Sequence, residues 1–292
     1  MTTTAPGMPE TQRVKNPTPA STGTLHGRST AGRWVREHLV AFFGILALVY
    51  LFVPIFVVVL FSFNNPTGRF NYTWVGFTLK AWADPCGVSG ICDSLLISLK
   101  IGVLATLAAT ILGTFAAFAM ARYRFRGKAI ANILIFLPMA TPEVVAGSSL
   151  LTLFINLGMP LGQTTIFIAH VMFCVSFVIV TVKARLASMD PKLEQAAMDL
   201  YANRYQTFIK ITFPLVLPGI VSGALLSFSL SFDDFIITNF NAGQTVTFPM
   251  YVWGAYQRAL PVQINVIGTA MLLVALVLVI IGRLAAKLRA RR

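Results

Sequence analysis

The sequence predicts an all-α membrane protein with six transmembrane helices and both termini in the cytoplasm, and three observations carry that prediction. Of 292 residues, 56% are hydrophobic and 11% charged, against roughly 25% charged residues in a soluble domain. Six apolar stretches, near 38–63, 95–120, 129–155, 161–182, 214–240 and 262–284, each reach the roughly 20 residues that a helix rising about 1.5 Å per residue needs to cross a bilayer. The basic residues are segregated as well. Five Lys or Arg precede the first span, four lie in 121–128, five in 183–210 and five follow the last span, whereas the alternate faces carry Arg69, Lys80 and Arg258 and the second span holds Lys100. This asymmetry fixes the orientation, because cytoplasmic loops carry the excess of Lys and Arg. The net charge of +13 therefore reflects topology and anionic headgroups; no aromatic-basic signature points to nucleic acid.

Along the chain, residues 1–32 are rich in Thr, Pro, Gly and Ser without apolar periodicity, so they bury too little surface to offset their ordering entropy and are expected to form a disordered cytoplasmic tail. No cleaved signal peptide is expected, since the first apolar run starts late and is too long. Residues 33–292 form one transmembrane domain. Pro54, Pro138 and Pro142 predict kinks or tilt in its longer spans. In the first outer loop, Cys86 and Cys92 stand among Pro85, Gly87 and Gly90. A disulfide is the expectation on an oxidising face, with two free thiols in a Gly-containing turn as the alternative. Cys174, in the fourth span, is read as a small buried hydrophobe. Arg258, Tyr251, Trp253 and Tyr256 of the last outer loop read as interface anchors.

No catalytic site is expected. His26, His38 and His170 lack metal-ligand spacing, and His170 reads as a core or wet-cavity residue. No G-x-x-x-x-G-K-[ST] is present, so nucleotide phosphates are not cradled by this chain and any ATP is hydrolysed elsewhere. Three intramembrane acids carry the candidate chemistry: Glu143 in the third span, and Asp233 and Asp234 in the fifth. A carboxylate at a helix centre costs about 2.5–3.5 kcal/mol on insertion scales, so each is expected to face a cavity, a partner or a cation. Taken as straight rods, the spans put all three roughly 21–28 Å from the cytoplasmic face, one acidic level suited to a cationic solute. Adjacent aspartates point about 100° apart, so one is expected to bond to backbone or to a group such as Asn239, and Lys100 is a possible counter-charge.

Between the fourth and fifth spans, about 183–213, lies the one long polar passage. Asp190-Pro191 opens a helix. Ala196, Ala197, Leu200, Arg204 and Phe208 then recur at three- and four-residue spacing, with Lys192, Asp199 and Asn203 off the stripe. This predicts one amphipathic helix suited to a docking groove, or alternatively to the lipid interface.

The passage resembles the cytoplasmic loop of inner-membrane permease subunits of ABC importers, whose pattern is Glu-Ala-Ala, three residues, Gly, nine residues, Ile, one residue, Leu-Pro. Anchored on Ile211-Thr212-Phe213-Pro214, Gln195 takes the Glu position with Glu194 one residue early, Ala196 and Ala197 follow, Tyr201 takes the Gly position and Phe213 the Leu position. Tyr adopts positive φ less cheaply than Gly, so the turn after the first loop helix is expected to differ. Leu137 to Gly147 and Ser231 to Thr238 are similar to the corresponding spans of spermidine/putrescine permeases, and the resemblance covers about 38–284. It implies a type I importer-like permease domain, a heterodimer with a second permease, two copies of an ATPase holding ATP and Mg, and an external solute-binding protein. It also implies that Glu194, Gln195, Ala196, Ala197, Asp199, Tyr201 and Arg204 couple the ATPase to the spans, and that a polyamine passes Glu143, Asp233 and Asp234. A permease for thiamine or ferric iron and a secondary carrier are the competing readings.

Overall fold

The computed structural model describes residues 30–290; the tail expected at 1–32 lies outside the described residues as far as residue 29. Two compact units, Met1–Phe56 and Val57–Arg292, divide the chain. The first contributes the N-terminal part of α1 (Thr30–Phe61), which is apolar and membrane-length over His38–Phe61.

The second unit is helical apart from one isolated antiparallel bridge, Asn64 to Phe77, among the described residues. Beyond the end of α1 come α2 (Lys80–Ala83), α3 (Ile91–Arg122), α4 (Lys128–Ala140), α5 (Glu143–Asn156), α6 (Gln163–Ala187), α7 (Lys192–Asp199) and α8 (Arg204–Thr207). A π-helical turn, Phe208–Thr212, joins α8 to α9 (Phe213–Asp233), followed by α10 (Ile236–Asn241), α11 (Phe248–Arg258) and α12 (Val262–Ala290). Five helices are long and apolar enough to cross a membrane, and the pair α4 and α5 makes a sixth span.

That third span is not the continuous helix expected over 129–155, because α4 and α5 meet at an angle of 105°. The break lies at a Thr-Pro step. Thr141 precedes Pro142, whose ring disfavours the helical conformation at the preceding residue, and both residues are extended, with ψ of 131° and 133°. The straight-rod depth therefore holds no further than Ala140. The fifth span is corrected too. Its helical run, Arg204–Asp233, starts within the polar passage and stops at Asp234, ψ 122°, short of the expected residue 240.

The core is the packing of α3, α6 and α9 on one another. Small residues let the backbones approach, as in other membrane bundles. A Cβ on Gly113 of α3 would stand 2.7 Å from Val178 of α6, and one on Gly219 of α9 would stand 2.6 Å from Arg185 of α6. Around these crossings lie Ala109, Ala117, Ala169, Cys174, Val178 and Val182, all buried.

The two ends of the bundle differ. At one, Arg122, Lys183 and Arg185 cluster beside the polar passage, Arg185 Nε donating to Leu215 O at 2.8 Å. At the other, Cys86 and Cys92 are bridged with Cα atoms 5.5 Å apart, and Lys100 Nζ donates to Gln163 Oε1 at 3.2 Å, so its recorded partner is an amide, not one of the acids. The segment after α1 folds around buried Asn64: its Nδ2 donates to Asn71 Oδ1 and Thr73 O, both at 2.7 Å, and its Oδ1 accepts from Val75 N at 2.8 Å. Tyr251 OH reaches Ser89 O at 3.2 Å, whereas Trp253 and Tyr256 are exposed.

Reaction of intact protein with an impermeant maleimide should label neither Cys86 nor Cys92 until a reductant is added. Labelling of both thiols in unreduced protein would contradict the bridge.

Candidate functional site

Two constellations carry the functional residues: a buried network where the fifth span breaks, and the polar passage at the basic end.

Asp234 ends α9 and caps α10. Its Oδ2 accepts from Thr238 N and Thr238 Oγ1, both at 2.7 Å, and its Oδ1 from Ile237 N at 3.4 Å. These amides belong to the first turn of α10, where backbone donors lack helical partners and a carboxylate is favoured. His170 of α6 completes the arrangement. Its Nδ1 lies 2.7 Å from Ser231 Oγ, its Nε2 2.9 Å from Thr238 Oγ1 and 3.3 Å from Asp234 Oδ2. Because the Thr238 hydroxyl donates to Asp234, it accepts from His170; the network thus assigns a proton to Nε2, while Nδ1 and the Ser231 hydroxyl share a hydrogen bond. One imidazole therefore ties the last turn of α9 to the first turn of α10. Both partners are buried, with side chains 4% exposed.

The three acids consequently do not form the uniform set expected. Asp233 and Glu143 are exposed, whereas Asp234 is buried and fully engaged. Its partner is Thr238 and not Asn239, because four residues along a helical turn return to the carboxylate and five do not. Glu143 opens α5 at the bend. Helices α5 and α10 pack together, with Gly147 so near Phe240 that a Cβ would come within 2.8 Å of its ring. Asn241 Nδ2 bonds Gly147 O at 3.3 Å and Ile237 O at 2.8 Å, and the Thr165 hydroxyl bonds Asn241 O at 2.7 Å. The role of His170, Ser231 and Thr238 was missed by sequence reasoning: His170 is 61 and 68 residues from its partners, and no spacing rule connects them.

The polar passage is two helices, not one amphipathic helix. Asp190 Oδ1 accepts from Lys192 N at 2.9 Å, starting α7 as its Asp-Pro pair predicts. The helix ends after Asp199 in a Schellman motif: Tyr201 N bonds Met198 O at 3.0 Å and Ala202 N bonds Ala197 O at 3.1 Å. Tyr201 stands in the left-handed region, φ 62°. The same motif ends α5, where Gly158, φ 66°, holds the corresponding place. The turn thus keeps its glycine-type backbone despite the missing Gly, at a conformational cost of about 1–2 kcal/mol for a residue with a Cβ. Directly after it, Asn203 and Gln206 cap α8 reciprocally, at 2.8 and 3.1 Å. The proposed stripe is accordingly divided: Ala196 and Ala197 belong to α7, Leu200 to the turn, Arg204 to α8 and Phe208 to the π turn.

Glu194 anchors this passage to the bundle. Its Oε1 accepts from Thr212 Oγ1 at 2.7 Å and forms an ion pair with Arg122 at the end of α3. Gln195, Ala196, Asp199, Tyr201 and Arg204 are exposed and Ala197 half-buried. Between α3, α7 and α9 opens a cleft of about 960 Å³, lined among others by Thr110, Thr114, Phe115 and Phe208, with Glu194 and Arg122 at its end. The buried hydroxyls of Thr106, Thr110 and Thr114, four residues apart on α3, have no hydrogen-bond partner.

The described residues thus combine membrane-length helices with one capped polar loop anchored to two spans. Residues 109–292 match the family described as binding-protein-dependent transport system inner membrane component, and the chain belongs to that family. It is a multi-pass inner-membrane permease subunit of the ABC importer class. The chain is 35% identical over 239 residues to the spermidine/putrescine transport system permease protein PotC of Escherichia coli (strain K12), covering 82% of this chain and 90% of that one. It is 36% identical over 236 residues to the putrescine transport system permease protein PotI of the same organism, covering 78% and 83%. A solved bacterial alginate ABC transporter, in complex with an alginate pentasaccharide-bound periplasmic protein, shares the fold with a TM-score of 0.63 at 15% identity, covering 85% of this chain and 92% of its own.

Asp234→Asn places an amide N–H₂ against one of the donors now satisfied, and each buried group left unpaired costs about 1–3 kcal/mol. Thermal unfolding in detergent is therefore expected at a lower temperature for Asp234→Asn than for Asp233→Asn, which is expected to melt like the unaltered protein. Equal melting of the two variants would contradict the assignment of Asp234 as the cap of α10.

Proposed function

We propose that the chain imports polyamines, forming with a second permease the path through which ATP hydrolysis drives spermidine or putrescine inward. The observation that carries this reading is identity of 35% and 36%, over most of both chains, to two permeases named for those solutes. The partners are a dimer of ATP-binding cassette subunits, which hold ATP and Mg, and an external solute-binding protein. With nineteen of the 23 Lys and Arg assigned to one face by the positive-inside count, both termini and the α7 loop face the cytoplasm. There the loop docks on the ATPase, and Glu194 passes its displacement to α3 and α9 together, through Arg122 and Thr212. The cleft along α3 accepts the second permease.

Within the path, Asp233 and Glu143 are the acids proposed to meet a passing cation, since both are exposed. Asp234 serves the path indirectly by holding the break that presents its neighbour. At about 4 Å and an effective dielectric of about 20, a carboxylate attracts an ammonium by about 4 kcal/mol, enough for removal of one charge to register in transport. Most of the selection among solutes falls to the binding protein.

Reconstituted with its partners, the transporter is expected to accumulate labelled spermidine or putrescine only with ATP inside the hydrolysing compartment. Asp233→Asn and Glu143→Gln are expected to lower that uptake while leaving protein level and basal ATP hydrolysis in place. Uptake driven by an ion gradient without ATP would favour a secondary carrier, transport of thiamine or ferric iron in place of polyamine would reassign the solute, and normal polyamine uptake by both variants would remove the acids from the path.

A further inference from the structure

The backbone at Tyr201 has the conformation a glycine would adopt without strain, yet a tyrosine occupies it. Tyr201 is 98% exposed and neighbouring Leu200 81% exposed. Two large apolar groups thus project from the tightest turn of the loop, with Met198 and Tyr205, also exposed, on either side. The turn beneath them is rigid: the two Schellman bonds close α7, the Asn203–Gln206 capping box opens α8 one residue after Ala202, and Glu194 ties α7 to α3 and to the π turn. A residue held in a costly conformation by a framework that overdetermines it points to use of its side chain. Tyrosine is also among the residues that dominate binding energy when buried at an interface, and its two side-chain torsions lose little entropy there.

Resting on the reading that this loop docks on the ATPase, we infer that Tyr201, with Leu200 beside it, is the anchor that enters a pocket on that subunit. Charge argues for a protein partner over the membrane surface. From Asp190 to Lys210 the loop is charge-balanced, with three acids, Asp190, Glu194 and Asp199, against three bases, Lys192, Arg204 and Lys210. The flanking segments at the same end are strongly basic, with Arg122, Arg124, Arg126 and Lys128 before α4 and Lys183 and Arg185 at the end of α6. An anionic headgroup layer attracts the latter and not the former. The ATPase is a separate chain, since this one contains no phosphate-binding loop.

The test uses the permease pair in lipid nanodiscs, onto which the purified ATP-binding cassette subunit is titrated. Tyr201→Gly keeps the left-handed backbone and relieves its strain, so it removes the ring without disturbing the turn. Expected are affinity for the ATPase about tenfold or more weaker for Tyr201→Gly, the loss typical of a truncated interface aromatic, affinity close to the unaltered value for Tyr201→Phe, and a melting temperature of Tyr201→Gly no lower than that of the unaltered permease. Cross-linking from Tyr205→Cys, exposed and outside the cleft, to the ATPase reports separately whether the loop docks at all. If that cross-link forms and Tyr201→Gly binds as tightly as the unaltered permease, the anchor is refuted and the docking reading stands; if no cross-link forms, the docking reading falls and the anchor with it. Loss of the folded permease in Tyr201→Gly, or loss of its binding to phosphatidylglycerol vesicles with ATPase affinity unchanged, would equally overturn the proposal.

Discussion

A chain inside a bilayer has no water to satisfy an interrupted helix, so every break in a span needs an internal partner. This protein breaks two spans, and the carboxylate of Asp234 answers the second break. It takes up donors of the first turn of α10, while His170 holds Ser231 and Thr238 on either side of the interruption. The first break, at Thr141-Pro142, frees α5 to pack on α10, and Asn241 links the two through Gly147 O. The two half-helices are thereby tied to each other. The other two acids are placed by the same breaks: Asp233 left exposed beside its buried neighbour, and Glu143 exposed at the start of α5.

A second constraint operates at the basic end. The polar loop is built from short helices, which are marginal on their own. Capping supplies the rigidity: Asp190 at the start of α7, a Schellman turn at its end, and a capping box on α8, which runs through the π turn into α9 as one helical stretch. Glu194 then connects α7 with α3 through Arg122 and with the start of the fifth span through Thr212. These are the same helices that, with α6, form the core.

The spans were legible because hydropathy and the basic-residue asymmetry report directly on the solvent, and the bilayer is the dominant solvent here. The start of the loop was legible for a local reason, the Asp-Pro pair. The break at Pro142 was written in the sequence as a Thr-Pro step, but a kink and a 105° turn use the same letters; packing of α5 on α10 decides between them. The buried network was not legible, since its members come from three helices and a lone histidine in an apolar span carries no mark of its partners. Asn64, which organises the segment beyond α1 through Asn71 and Thr73, was silent for the same reason. At Tyr201 local preference argued against the turn that forms. Two backbone bonds and the adjacent capping box outweigh a cost of about 1–2 kcal/mol, so the glycine-type turn persists without its glycine.

The account turns on Asp234 as the cap that makes the interrupted fifth span tolerable in lipid. Amide hydrogen exchange of the protein in nanodiscs, followed at Ile237 and Thr238 with and without Asp234→Ala, tests this directly. Slow exchange at both amides in the unaltered protein, lost on substitution while the α3 and α6 amides around Gly113 and Val178 stay protected, is the predicted result. Protection at Ile237 and Thr238 that persists without the carboxylate would contradict it.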